Sequence, residues 1–185
     1  MFFYLDVDGV VADFVGTLLK DINHISPHNL SNLDIKHFKM LDKEHSVLTQ
    51  IQIDYAKELL NTPGYGQTFS LIENAQKSYA KIQARGHQIR WLTSSWSSNP
   101  TWEYDRRIWL KNHFDTHKHD ICFYHKKWEL GGDVFIDDKP ENVWLWQEQN
   151  PSGLGCLFYQ PWNADATGCI RFSWNEIDAF LDKLE

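Results

Sequence analysis

Cysteine is scarce in this chain: the 185 residues carry three, Cys122, Cys156 and Cys169. None belongs to a CxxC pair, and an odd number cannot all pair internally. That fits structural thiols in a reducing compartment. Long apolar runs are missing as well. No stretch reaches the length of about 18 apolar residues that a spanning helix needs, so no membrane partner is expected. The apolar start Phe2-Phe3-Tyr4-Leu5 lacks a basic leader and meets Asp6 and Asp8 at once. It does not read as a secretory signal, and the expected location is cytoplasmic. Positive charge is in deficit: 18 Lys and Arg stand against 25 Asp and Glu, a formal net charge of −7. A protein that coats nucleic acid needs a basic face, so the balance argues against a nucleic-acid partner. A small anionic substrate in a locally positive pocket stays open. There are no internal repeats and no low-complexity tracts.

Aromatic residues are abundant instead, with 9 Trp, 7 Tyr and 11 Phe, or 15%. Hydrophobic residues at 42% and charged residues at 23% match a packed globular chain, not a disordered one. The length suits one domain with a small insertion. Short apolar runs at Phe2–Val7, Ile89–Leu92, Asp120–Tyr124, Gly132–Ile136 and Gly155–Tyr159 read as buried strands. Helical patterns follow or precede them. Val10–Ile22 reads as a helix, and Leu41–Leu60 has helical spacing through Leu48, Ile51, Tyr55 and Leu59. Ser70-Leu-Ile-Glu73 reads as a capping box opening a helix that runs to Arg85, with Gly86 as its C-cap. Trp102–Phe114 is the next helix, with Trp102, Arg106, Trp109, Leu110 and His113 near one face. Pro140 opens another, continued by Val143, Trp144 and Gln147. Ser173-Trp-Asn-Glu176 caps a last helix through Leu184. Between residues 16 and 69 the composition turns polar, including a loop of His24, Ser26, Pro27, His28, Asn29, Ser31 and Asn32. That segment reads as a mostly helical insertion. Strands alternating with helices predict an α/β fold with a parallel sheet flanked by helices and right-handed crossovers.

In such sheets ligands bind at the carboxyl ends of strands. There the polar residues form an ordered set. The first strand ends in Asp6-Val7-Asp8-Gly9-Val10 and the second in Thr93-Ser94. Lys126-Lys127 follows the third, and the fourth ends in Asp137-Asp138. Carboxylates packed together repel one another and call for a cation. All-oxygen ligands favour Mg²⁺, which commonly bridges to a substrate phosphate. Lys127 can grip a phosphoryl oxygen, and Thr93 and Ser94 can donate to another. A carboxylate beside that phosphate can act as nucleophile, and a second one two residues later as general acid and then base. Gly9 allows a sharp turn after the strand.

The order DxDGV, a strand ending in Thr/Ser, Lys, and a strand ending in DD resembles the haloacid dehalogenase (HAD) superfamily over Phe2 to about Glu141. The resemblance implies that Asp6 is the nucleophile. Asp8 is then the acid/base, and its backbone carbonyl also holds magnesium. Thr93 and Lys127 become the hydroxyl and lysine motifs, and Asp137 and Asp138 the acidic pair, of which one ligates Mg²⁺ directly. The stretches DVDGVVADF, LTSSW, WEYDRRIWLKNHF and KKWELGGDVFIDDKPENV resemble the 5′(3′)-deoxyribonucleotidase group more narrowly. That likeness implies a core of residues 1–15 and 70–185, a small helical cap at 16–69, and a nucleoside monophosphate held between aromatic rings. Phe14 falls at a family pocket position. Phe38, Tyr65 and Phe69 are unaligned cap candidates, for which core packing is the ordinary role. A homodimer is compatible with this reading.

Each motif alone has a plainer meaning. Asp-Gly is a common turn, Asp137-Asp138-Lys139-Pro140 can simply start a helix, and Lys126-Lys127 can be a solvated pair. His113, His117, His119 and His125 have loose spacing and no companion cysteines, so they read as surface histidines and not as a zinc site. Trp91, Trp109 and Trp144 fall on apolar faces, whereas Trp96 and Trp102 flank the second motif. The reading that joins the motifs is a Mg²⁺-dependent phosphomonoesterase, a 5′-nucleotidase working through an aspartyl phosphate. Its rivals are a HAD phosphatase for another small ester or a nucleic-acid phosphate end, and a catalytically silent binding module.

Overall fold

The computed structural model describes residues 1–26 and 28–184, so Pro27, assigned above to the polar loop, lies outside the described residues. The frame is a six-stranded parallel sheet: β1 (Phe2–Leu5), β4 (Gln88–Thr93), β5 (Ile121–Phe123), β6 (Val134–Asp137), β7 (Leu154–Phe158) and β8 (Ile170–Phe172). The order across it is β5-β4-β1-β6-β7-β8. A sheet covered on both faces needs strands that are apolar throughout, and the Val134–Asp137 strand is buried at all four positions. Successive side chains alternate between faces. Phe3 and Leu5 accordingly join the larger core cluster, with Trp91, Trp109 and Ile136. Tyr4 joins a smaller one with Leu92, Phe135, Val143, Trp146 and Leu157.

The helices are α1 (Phe14–Asn23), α2 (Gln50–Asn61), α3 (Ala75–Ala84), α4 (Trp102–His113), α5 (Pro140–Gln149) and α6 (Ile177–Asp182). Pro140 occupies the first turn of α5, where its missing N–H costs nothing. Gly86, just beyond α3, has φ +77°, the left-handed geometry that a helix end favours.

Several elements depart from the sequence expectations. Ser70–Leu71 is a short strand, β3, paired antiparallel with β2 (Ala12–Asp13). The pattern Ser70–Glu73 therefore caps nothing, and α3 starts after Asn74. The β2–β3 pair joins the two ends of the inserted segment, reinforced by Ile72 N donating to Val11 O at 2.8 Å. The expected helix from Val10 starts only at Phe14, with the Asp13 carboxylate accepting from Gly16 N at 3.0 Å. After a 3₁₀ turn at Lys43–His45, the 41–60 pattern is α-helical only from Gln50. There Thr49 and Gln52 form a true capping box, with Gln52 Oε1 accepting from Thr49 N at 2.8 Å. The last helix is shortened to α6 by a 3₁₀ turn at Trp174–Glu176. Trp144 is 43% exposed, its indole N–H reaching Thr167 O, so it is not a core residue. No described helix is long and apolar enough to cross a membrane.

Candidate active site

β1 lies between β4 and β6, with Leu5 level with Trp91 on one side and Ile136 on the other. That register brings the chain just past β1 beside the end of β6, and Asp6 N donates to Ile136 O at 2.9 Å. The strand order sets β4 on one side of β1 and β6 on the other, and such a switch leaves a crevice at the carboxyl end of β1. A cavity of about 280 Å³ opens there. Asp6, Asp8, Phe14, Thr93, Ser94, Lys127 and Asp138, all named from sequence, line it. Asp137 lies directly behind, fully buried.

The turn after β1 is tight. Val11 N and Ala12 N both donate to Val7 O, at 3.0 and 2.9 Å. Gly9 has φ +77°, and a Cβ there would stand 2.4 Å from Asp138 Oδ2. Two independent constraints thus demand glycine: the left-handed backbone and the approach of the acidic pair. Gln160 Nε2 pins the same turn by donating to Gly9 O at 2.6 Å.

Lys127 is 2% exposed. Its Nζ lies 2.5 Å from Asp6 Oδ2 and 2.9 Å from Asp137 Oδ2. Burial works against its charge, but Asp137 and Asp6 outweigh it and hold the ammonium well above its usual range. Lys126 points away and pairs with Glu129 at 3.2 Å. Burial also raises Asp137, yet Lys127 and Lys139 overcome it and the net direction is down. Both oxygens of Asp137 are engaged. Oδ1 accepts from Lys139 N at 2.8 Å, and Oδ2 accepts from Lys127 and from Asn142 Nδ2 at 3.0 Å. Asp138 differs. Its Oδ2 accepts from Trp162 Nε1 at 2.8 Å, but its Oδ1 is buried with no partner. Burial, then Asp137, pushes its pKa up to about 7. Asp6 is raised too, by burial first, against the pull of Lys127.

Carboxylate oxygens of Asp6, Asp137 and Asp138 lie within 4.8 Å of one another, the one such acidic, His or Cys group among the described residues. Their mutual repulsion, the raised Asp6 and Asp138, and the orphaned Asp138 Oδ1 fit a small hard cation with oxygen ligands. Thr93 Oγ1 is likewise buried without a partner at the end of β4. An unbonded buried hydroxyl costs on the order of 1–3 kcal/mol. It leaves that hydroxyl free to donate at the cavity.

Aromatic rings line the cavity as well: Phe14, Phe38, Trp96, Trp102 and Trp162. Phe38 carries Lys39 Nζ at 5.8 Å and Lys139 Nζ at 5.5 Å from its ring centre. Tyr65 and Phe69 do not line the cavity. Both are buried in the core, Phe69 stacked on Phe14 at 5.3 Å. Of the histidines, His117, His119 and His125 are exposed and His113 is half-buried. Besides Gln160, the sequence reading did not assign a site role to three contributors. Trp162 orients Asp138, Lys139 amide orients Asp137, and Arg106 on α4 pairs with Asp8 through Nη2 and Oδ1. In the sequence Arg106 shows only as a charge on a tryptophan-lined helix face, and Lys139 only as part of a helix-starting turn.

Comparisons with known proteins bear on the family and the fold. Residues 1–184 match the family model described as "5′ nucleotidase, deoxy (Pyrimidine), cytosolic type C protein". A protein of Staphylococcus epidermidis named "Putative 5′(3′)-deoxyribonucleotidase" is 22% identical over 98% of this chain and 96% of its own. Among solved structures, a "putative haloacid dehalogenase-like hydrolase" from Burkholderia xenovorans superposes with TM-score 0.59 at 12% identity, covering 100% of this chain and 98% of that one. A HAD family hydrolase from Deinococcus radiodurans superposes with TM-score 0.53 at 14% identity, covering 98% of this chain and 94% of that one.

Proposed function

Because the chain belongs to the deoxy-pyrimidine, cytosolic type C 5′-nucleotidase family, within the HAD fold, and is a phosphoric monoester hydrolase, we propose that its substrates are (deoxy)nucleoside monophosphates and that it cleaves them through a phosphoaspartate with Mg²⁺ bound. The observation that carries this reading is the convergence of Asp6, Asp8, Thr93, Lys127 and Asp138 on one cavity that aromatic rings also line.

Asp6 attacks the phosphorus in line as the P–O bond to the nucleoside breaks, and the Asp6 carboxylate becomes an acyl phosphate. Asp8 gives its proton to the departing oxygen, then takes one from the water that hydrolyses the acyl phosphate. Lys127 holds Asp6 in place from 2.5 Å and offers positive charge to the equatorial oxygens. Thr93 Oγ1 and Ser94 donate to those oxygens. Asp6, Asp138 and the Asp8 backbone carbonyl would hold the magnesium. Asp137, its oxygens already bonded, positions Lys127. Bound magnesium supplies neutralisation of phosphoryl charge and a fixed orientation for the ester. Phe14 and Phe38 flank the base, worth about 1–3 kcal/mol per stacked ring.

Residues 16–69 act as a cap on a core of 1–15 and 70–185. Segment 38–42, which reaches the cavity, closes over the substrate and excludes water. The cytoplasm, where nucleotide pools turn over, is the matching location. The test is a panel of dUMP, dTMP, ribonucleotides and sugar phosphates, each with Mg²⁺ and with EDTA. Metal-dependent release of phosphate from the nucleotides is expected. Turnover of sugar phosphates with none of dUMP or dTMP refutes the substrate assignment.

A further inference from the structure

Arg106 projects from the inward face of α4 and is fully buried. Its guanidinium carbon lies over the rings of Phe69 at 4.1 Å, Trp102 at 4.7 Å and Trp109 at 6.0 Å. Burial works against a guanidinium's charge, and an apolar side chain of similar volume fills a core as well or better. Stability alone does not account for the charge at this position.

Its polar contacts run to two places. Nη1 donates to Gly66 O at 3.1 Å, and Nη2 donates to Asp8 Oδ1. Gly66 belongs to the segment by which the insertion returns to the core. That segment is fastened to α4 and the loop before it. Asp105 accepts from Gly64 N at 3.0 Å and Gln67 Nε2 at 2.7 Å, Asn99 Nδ2 donates to Leu60 O at 2.9 Å, and Trp109 Nε1 donates to Phe69 O at 2.7 Å. Asp8 lines the cavity, and the one hydrogen bond its side chain makes among the described residues is to Oδ1. A guanidinium fixes direction as well as distance, through a rigid planar fork. It ties one oxygen of Asp8 and leaves the other available to the substrate.

We propose that Arg106 is a positioning residue for Asp8. Braced by Gly66 and three rings, it holds the Asp8 carboxyl at the angle from which Oδ2 serves the leaving-group oxygen, and it links that angle to the seat of the inserted segment. The inference rests on the reading of Asp8 as acid/base. In the step it supports, the proton passes from Asp8 to the ester oxygen as the P–O bond breaks. Arg106 exchanges no proton.

The test separates positioning from structural support by the leaving group. A nucleoside leaves as an alkoxide and needs the proton, while p-nitrophenolate does not. With a general acid worth about 10²–10⁴-fold, Asp8→Asn should lower the ratio of kcat/KM for dUMP to that for p-nitrophenyl phosphate by roughly 100-fold or more. Because misplacement by about 1 Å costs on the order of 100-fold, Arg106→Met should lower the same ratio at least about 10-fold, with Arg106→Lys intermediate. Adding Arg106→Met to Asp8→Asn should leave the ratio within about 2-fold of Asp8→Asn alone, since coupled residues are not additive. Thermal melts check folding. Where Arg106→Met does not melt cooperatively, Arg106→Lys carries the test. Equal losses on both esters overturn the positioning role. If Asp8→Asn shifts the ratio and neither Arg106 variant does, only this inference falls. If Asp8→Asn shifts nothing, it falls together with the acid/base reading beneath it.

Discussion

Replacing Lys127 with methionine removes the one buried cation that touches both Asp6 and Asp137. The stem is retained in volume, so the change is almost purely electrostatic. In the wild type Nζ stands 2.5 Å from Asp6 and 2.9 Å from Asp137, at 2% exposure. Breaking one side of a buried pair leaves uncompensated charge and costs about 3–5 kcal/mol. At this chain length that is a Tm fall of about 6–20 °C. The full loss should appear at pH 8 in EDTA. At pH 5.5 it should shrink, because Asp138 titrates near 7 and Asp6 is also raised, so protons relieve part of the repulsion. Saturating Mg²⁺ at pH 8 should recover part of it as well. Urea melts at both pH values, with and without Mg²⁺, read all four quantities. A loss below about 1 kcal/mol at pH 8 in EDTA, the level of an exposed ion pair, refutes the picture of a carboxylate cluster held together by one lysine.

Other outcomes follow from the same geometry. Asp138, raised to about 7, favours the fold most when protonated. Its contribution is complete below the ordinary carboxylate range and is lost as pH climbs through 7. Metal-free protein should therefore lose stability between about pH 4 and 7. At about 100 times its Kd, Mg²⁺ should add about 2.7 kcal/mol at pH 8, a Tm rise of about 5–11 °C, and less at pH 5.5. A rise independent of pH contradicts this. Gly9→Ala pushes a methyl to 2.4 Å from Asp138 Oδ2 at φ +77°. It should cost about 1–3 kcal/mol in a melt and roughly 100-fold or more in phosphatase activity; retention of wild-type activity would show that the approach is not needed. Phe38→Ala should lower kcat/KM for dUMP by about 5–150-fold with a small change in Tm, whereas Phe69→Ala, in the core, should lose about 3–5 kcal/mol of stability. The reverse pattern would reassign the two rings.

Much of this site could be read before any coordinates, and the reason is physical. Buried parallel strands are short continuous apolar runs, and the polar residue that ends each run sits on the ligand-binding rim. Asp6, Thr93 and the Asp137-Asp138 pair stand at such strand ends. Non-local pairing was not visible. Ser70–Glu73 has the letters of a capping box, but Ser70 and Leu71 pair with Asp13 and Ala12, and tertiary pairing overrode the local pattern. β8 is three residues long and carries no alternation to detect. Helix 50–61 could have been bounded correctly, since Thr49-x-x-Gln52 is itself a capping signal. Trp162 and Gln160 orient the site from turns after β7, and nothing in their local sequence announces a partner more than twenty residues away.

The nucleophile is the most direct point of test. Acid-quenched enzyme from a dUMP reaction, reduced with borohydride and mapped by peptide mass, converts an aspartyl phosphate to homoserine at the position that carried it. The mark is expected at position 6, dependent on Mg²⁺ and lost in Asp6→Asn. A mark at another carboxylate, or steady turnover by Asp6→Asn at the wild-type rate, would contradict the aspartyl mechanism at its root.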